Sequence, residues 1–431
     1  MILFPPLLKQ AGGGIIPKGV NKMSENTSNS FRKRRILLIV GTVGLVFAGI
    51  LYAWSILKVP FNTEFGWENA QLATSYTITI SMFCLGCIAG GFLMRAVGPK
   101  IPIIIGGIMV FAGFFLTSTL DGGNIVFLYI YYGVLAGGGI GMAYNTILAS
   151  VGAWFPEKKG FCSGVLMMGF GASTLVLGNI CGSLMSNPAF GWRKVFVVLA
   201  IAAGVAMIIM GFIAELPGPD ADLPKPKMAA NTKGEDFELI DLPTGEMIKR
   251  LSFWKFFIAM SVLGAAGSSL ISFARDFSIS VGASVAMAGI FVGVLSIANG
   301  LGRILAGSLY DKYGREFIML YVGIMEIVAS ALCLFAAITG SIAICLIGFI
   351  CVGLSYGGNT NAVSVIITSF YGPKYYPQNL SFGLLSMLPG AILAKVSTTI
   401  LISTGGYVVP FVLLIVYGII ATILNVTNKR P

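Results

Sequence analysis

Two fixed positive charges, Arg303 and Lys395, lie inside long apolar runs of this sequence. Arg303 sits in GIFVGVLSIANGLGRILAGSLYDKYGR, residues 289–315, with Asn299 one helical turn before it on the same face. A guanidinium at membrane depth costs at least about 2.5 kcal/mol at a helix centre, so its default meaning is functional. Its planar fork of donors never loses its charge and suits bidentate capture of a carboxylate. The other reading is a structural charge paired with an acid near the membrane face. Asn299 either donates to the same anion or ties two helices together. Lys395 either contributes to binding or meets Glu326, the only acid well inside an apolar run. Tyr144 and Tyr356 lie in glycine-rich runs, where a phenol either hydrogen-bonds an oxyanion or simply packs. Tyr52 and Trp54 close the first run, lining a cavity or anchoring at the interface.

Other chemistries find no support. The chain has no histidine, which removes a histidine proton relay, and its seven cysteines are spread through the apolar runs as small core residues. No metal site or cofactor is implied, and no nucleophile–base pair marks an enzyme. The glycine runs (Gly133, Gly137, Gly141 and Gly164, Gly169, Gly171) let helices approach closely and lack the strand and Lys-Ser/Thr ending of a phosphate cradle.

The elements that hold these residues follow from composition. Of 431 residues 56% are hydrophobic and 10% charged, against about 25% charged in soluble domains. The chain therefore reads as an all-α membrane protein whose partner is the lipid bilayer. The net charge of +11 is scattered over short loops, so no nucleic acid is expected. A bilayer core needs roughly 20 apolar residues of helix, and twelve such runs fall near 36–58, 72–94, 101–119, 125–150, 161–185, 194–215, 254–274, 284–308, 317–338, 341–366, 379–402 and 407–426. They divide the chain into a tail (1–35), a six-helix half (36–215), a linker (216–253), a second half (254–426) and a short tail (427–431). Met23 is as natural a start as Met1. No cleavable signal peptide is expected, since the apolar run begins after Arg32-Lys33-Arg34-Arg35 and is too long.

The halves echo each other. Gly91-Phe-Leu-Met-Arg95-Ala-Val-Gly98-Pro-Lys100 follows span 2, and Gly307-Ser-Leu-Tyr-Asp311-Lys312-Tyr-Gly314-Arg315-Glu316 follows span 8, half a chain later. Such duplication is typical of transporters with a site between the halves. With both termini cytoplasmic, only Lys58, Arg193, Lys194 and Arg275 fall outside, as the positive-inside rule requires. The turn from Gly307 to Arg315 reads as a conformational latch, in which Asp311 pairs with a basic residue or a helix end in one state and releases it in the other. Glu157-Lys158-Lys159 reads as a solvated loop, with a latch contact as the alternative.

The duplicated glycine-framed loop, the twelve spans and the linker resemble the major facilitator superfamily, with Glu316 in place of a usual basic residue and Arg95 in place of a usual acid. Finer motifs resemble its oxalate/formate antiporter family, related to the monocarboxylate transporters. They are Tyr52-Ala-Trp54-Ser55, Gly133-Val-Leu-Ala-Gly-Gly-Gly-Ile-Gly141-Met-Ala-Tyr144, Trp154-Phe155-Pro156-Glu157-Lys158-Lys159-Gly160, Gly169-Phe170-Gly171-Ala172, Asn299-Gly-Leu-Gly-Arg303 and Tyr356-Gly-Gly. The resemblance implies that Arg303 pairs with a substrate carboxylate held by Tyr144 and Tyr356. It also implies a second cation in span 11 for oxalate, where this chain has Pro389. Lys395, six residues on, lies roughly 120° out of phase.

The expectation is a secondary active transporter that moves a small monocarboxylate such as formate, lactate or pyruvate, with oxalate disfavoured, by alternating access. Asn299 stands where proton-coupled relatives often carry an aspartate, so anion exchange or facilitated uniport is expected, with exchange preferred. A proton-coupled symporter, with a coupling proton as second partner, is the alternative. A carrier-like membrane sensor would need a longer cytoplasmic domain. A monomer in the plasma membrane is expected.

Overall fold

The computed structural model describes residues 18–187, 189–218, 221, 223–224 and 240–431. The expectations for residues 1–17 and for most of the linker lie outside these residues. Among the described residues eleven apolar helical segments are long enough to cross a bilayer. Ten are single spans: α1 (Ser30–Phe65), α2 (Gln71–Val97), α3 (Lys100–Ser118), α4 (Val126–Ala153), α5 (Pro156–Met185), α6 (Gly191–Ile213), α7 (Leu251–Ser280), α10 (Ile342–Tyr371), α11 (Tyr376–Leu401) and α12 (Val408–Val426). The eleventh, Val285–Thr339, has 55 residues, about 80 Å of helix at ~1.5 Å per residue. That is far more than one crossing. It breaks at Gly314 (φ 79°, ψ −172°), giving α8 (285–313) and α9 (315–339). Twelve spans in two six-helix halves result, as the apolar runs require.

The break is sharper than the charged turn expected from the sequence. Helix α8 continues through Asp311, because Leu309 and Tyr310 still pack against the core. Gly98, at the matching place after α2, has φ 81° and ψ 178°. The duplicated loop thus repeats in backbone conformation as well as in sequence. That region of φ/ψ space is open essentially to glycine alone, and a side chain there costs on the order of 1–3 kcal/mol. Gly314→Ala should therefore lower the unfolding temperature measurably while Gly289→Ala, whose Cβ would meet nothing within 4 Å, should not; the reverse order would refute this account of the break.

Burial follows the bilayer. Large apolar side chains such as Ile108, Phe111, Ile201, Val205 and Phe212 point outward, as expected where the solvent is lipid. The inner faces hold small residues that bring backbones together. A Cβ on Gly141 would lie 1.9 Å from the carbonyl oxygen of Phe83, so α4 crosses α2 in direct backbone contact. At one end of the first half an aromatic cluster (Trp54, Phe61, Trp192, Phe196) packs tightly, and Trp54 donates its indole N–H to the Leu72 carbonyl at 3.0 Å. Trp54 is a core residue here, neither an interfacial anchor nor a cavity wall.

Candidate functional site

A cavity of about 300 Å³ opens between the halves, walled by α1, α2, α4 and α5 on one side and α7, α8, α10 and α11 on the other. Among the described residues that line it Arg303 is the only charged one. Its side chain is buried, 5% exposed, and one terminal nitrogen, Nη1, donates to the Met167 carbonyl on α5 at 2.5 Å. Its Nε has no hydrogen-bond partner, and it forms no ion pair among the described residues. A buried cation without a carboxylate is costly. The structure holds it in place sterically. A Cβ on Gly171 would sit 2.9 Å from the guanidinium carbon, so the absence of a side chain there is what gives the fork room.

Tyrosines surround the arginine. Tyr52, Tyr76, Tyr144 and Tyr356 all line the cavity. Tyr144 packs against Phe83 and Phe170 with ring centroids 5.3 and 4.7 Å away, and Tyr52 stands edge-on to Phe170 at 5.3 Å. The Tyr356 hydroxyl accepts from Ser268 at 3.2 Å, and its ring fills the space a Cβ on Gly267 would need, 2.2 Å from Tyr356 Cδ2. Of the residues singled out in the sequence, the cavity brings together Tyr52, Tyr144, Arg303 and Tyr356. Asn299 is not in the lining and leaves a buried Oδ1 without a partner. Lys395 is exposed, outside the lining, and unpaired among the described residues. No Lys395–Glu326 pair forms: Glu326 is buried and accepts from Ser330 at 3.1 Å and Ser355 at 2.9 Å.

The halves meet at the end of the bundle that carries the duplicated loops. The Asp311 carboxylate accepts from the backbone N–H groups of Gly160 and Phe161 at 2.9 and 2.8 Å, at the start of α5. A carboxylate at a helix N-terminus answers both its unpaired donors and its dipole. Gly160 and Gly307 lie back to back, with a Cβ on either falling 2.3 or 2.0 Å from the other's carbonyl oxygen. On the pseudo-symmetric side Arg95 donates to Gln378 at 3.4 Å and lies 4.0 Å from the Tyr375 ring centre, while Gly91 abuts the Pro377 carbonyl. Gly98 and Gly314 shape the two loops, Lys312 lies over its neighbour Tyr313, and Arg315 lies over Phe370. The segment Glu157-Lys158-Lys159 is not a solvated loop. Glu157 pairs with buried Arg34, and Lys159 stands 3.6 Å over the Tyr376 ring; only Lys158 is exposed. A helix that begins ahead of Arg32 carries Arg34 inward to meet this turn.

Two asparagines that sequence reasoning missed complete this end. Asn145 on α4 donates to the carbonyls of Cys87 on α2 (2.9 Å) and Pro377 on α11 (2.8 Å), bridging the halves. Asn361 on α10 donates to Arg303 on α8 (2.6 Å) and Gly160 on α5 (3.1 Å), and accepts from Ser163 at 2.7 Å. The offset between Gly91 and Gly307 also separates Asn145 from Asn361 and Cys87 from Arg303. The duplication was the available signal. It further shows that one half carries a cysteine where the other carries the cation.

The family model of the Major Facilitator Superfamily matches residues 36–394. Among curated proteins, the oxalate:formate antiporter of Oxalobacter formigenes is 25% identical over 338 residues, 78% of this chain and 77% of that protein. Human monocarboxylate transporter 12 is 27% identical over 292 residues, 60% of this chain and 53% of its own. A crystal structure of the E. coli fucose:proton symporter FucP superposes with a TM-score of 0.68, covering 93% of this chain and 100% of that one at 13% identity, which speaks to the fold. The resemblance drawn from the motifs therefore holds, and with it the exclusion of an enzyme. Twelve spans in two repeated halves around one central cavity, and a family match over most of the length, make this chain an integral membrane transporter of the major facilitator superfamily.

Proposed function

We propose that this protein carries small carboxylates across the membrane by alternating access, with Arg303 as the residue that binds the anion. The observation that carries this reading is a buried guanidinium at the cavity wall with an unpaired Nε and no acidic partner among the described residues. An incoming carboxylate supplies the missing counter-charge, and the surrounding tyrosines supply phenol donors and exclude water. The relatedness to an oxalate:formate antiporter and a monocarboxylate transporter supports the same substrate class. Lys395, outside the cavity lining, contributes less than Arg303.

The end bearing Arg95 and Asp311 is closed by contacts between the halves. With the basic loops and both termini placed in the cytoplasm by the positive-inside rule, this is the state shut towards the cell interior, in the plasma membrane. Asp311, Arg95 and the glycines that frame them form the latch. Lys159, over Tyr376 of the other half, strengthens it, and it opens when the halves rock. A monomer suffices, since both walls of the cavity belong to one chain.

Anion exchange is the coupling mode that fits the site. No aspartate or glutamate is among the described residues that line the cavity, and an arginine that stays charged without substrate disfavours the empty return step. Uptake of labelled carboxylate into proteoliposomes should rise at least about tenfold when the lumen is preloaded with unlabelled substrate. Equal uptake into empty and loaded vesicles would end the exchange reading. Gly171→Ala should weaken substrate affinity by about tenfold by pushing the guanidinium out of its slot. Equilibrium binding on the purified variant checks this, and unchanged affinity would show that the slot does not set the fork.

A further inference from the structure

The charge of the cavity and the character of its walls together narrow the acids it takes, on the reading that Arg303 binds a carboxylate. Among the described lining residues Arg303 is the only charged one. The second intramembrane cation, Lys395, is outside it. Elsewhere the walls are largely apolar: Met260, Val363, Leu384 and Met387 from the C-terminal half, Ile80 and Phe83 from the N-terminal half. The volume, about 300 Å³, is room for about ten water molecules at ~30 Å³ each.

We propose that the cavity selects monocarboxylates with an apolar body, branched aliphatic or aromatic, over dicarboxylates and over acids as small as formate or acetate. A dicarboxylate would find no second cation among the described lining residues, only neutral polar groups such as Ser268, Asn359 and Thr360 and apolar side chains. A buried carboxylate without a counter-charge is strongly disfavoured. Formate or acetate would satisfy Arg303 and leave most of the apolar wall facing water. An apolar body fills that space. Each methylene it buries is worth about a fourfold gain in affinity. The two methionines are suited to tails of different shape, since an unbranched thioether repacks easily.

The test is equilibrium binding to the purified full chain in lipid nanodiscs, using formate, acetate, 4-methylpentanoate, phenylacetate and oxalate, with uncharged 2-phenylethanol as control. The expected result is a gain of at least about tenfold from acetate to 4-methylpentanoate and phenylacetate, with oxalate no tighter than acetate. Ala391→Leu, which adds bulk at an exposed lining position, should lower the ratio of phenylacetate to acetate affinity. A flat series, or oxalate or formate binding tightest, would overturn the selectivity and leave the carboxylate site standing. If no acid bound, or 2-phenylethanol bound as tightly as phenylacetate, the carboxylate reading itself would fall, and the selectivity with it.

Discussion

Arg303→Gln is expected to reduce carboxylate transport by about a hundredfold or more, with the protein still folded and inserted. Losing one partner of a buried charge pair costs about 2–5 kcal/mol, and each 1.4 kcal/mol is about tenfold in affinity. Glutamine ends two bonds short of the Nη1 that meets the Met167 carbonyl, but it removes a buried charge with no ion-pair partner among the described residues. Stability should therefore hold or rise. Arg303→Lys keeps the charge but replaces a planar fork with a compact, strongly hydrated ammonium. It should recover only part of the lost activity. Uptake into proteoliposomes, alongside size-exclusion profiles and melting temperatures of both variants, reads the two effects separately. Normal transport by Arg303→Gln would remove Arg303 from the site, and with it the basis for a carboxylate substrate.

Much of this arrangement was legible in the residues, for physical reasons. A bilayer forces each crossing to be a long apolar run, so the number and place of the spans could be read directly. The repeat at half the chain length showed in its glycines because Gly98 and Gly314 occupy a backbone conformation closed to other residues. Arg303 stood out because charge at that depth is expensive. Partnerships across the two halves were not legible. Asn145 and Asn361 look like ordinary polar residues in apolar helices until the halves are docked and their amides meet carbonyls on the far side. Lys159 looks solvated in sequence because nothing nearby marks Tyr376, far along the chain, as its partner. Gly171 was read as a helix-packing residue, and what it accommodates is a side chain, the guanidinium. Each missed feature depends on distance in space, and local pattern carries no record of that.

The same docking makes Gly160 and Gly307 sensitive positions at the joint between the halves, away from the cavity. A Cβ on either residue falls within 2.0–2.3 Å of the opposite carbonyl oxygen, and helix backbones cannot yield that distance by side-chain motion. Gly160→Ala or Gly307→Ala must therefore separate α5 from α8 at this end. That movement also strains the two Asp311 bonds to the α5 N-terminus and the Asn361 bridge between Gly160 and Arg303. The closed state loses these contacts while the state open at this end loses none of them, so the balance shifts towards the open state. A carrier held on one side cannot complete its cycle. Transport should fall by tenfold or more in either variant, and the two substitutions combined should cost little beyond one alone, because both fail at a single contact. The shift has a readout independent of transport. Ser163, 3% exposed and bonded to Asn361 across the joint, replaced by cysteine in a chain otherwise free of cysteine, should react faster with a membrane-impermeant thiol reagent added at this end when Gly307→Ala is present. Wild-type transport together with unchanged labelling in Gly307→Ala would mean that the close packing of these two glycines does not govern the closed state.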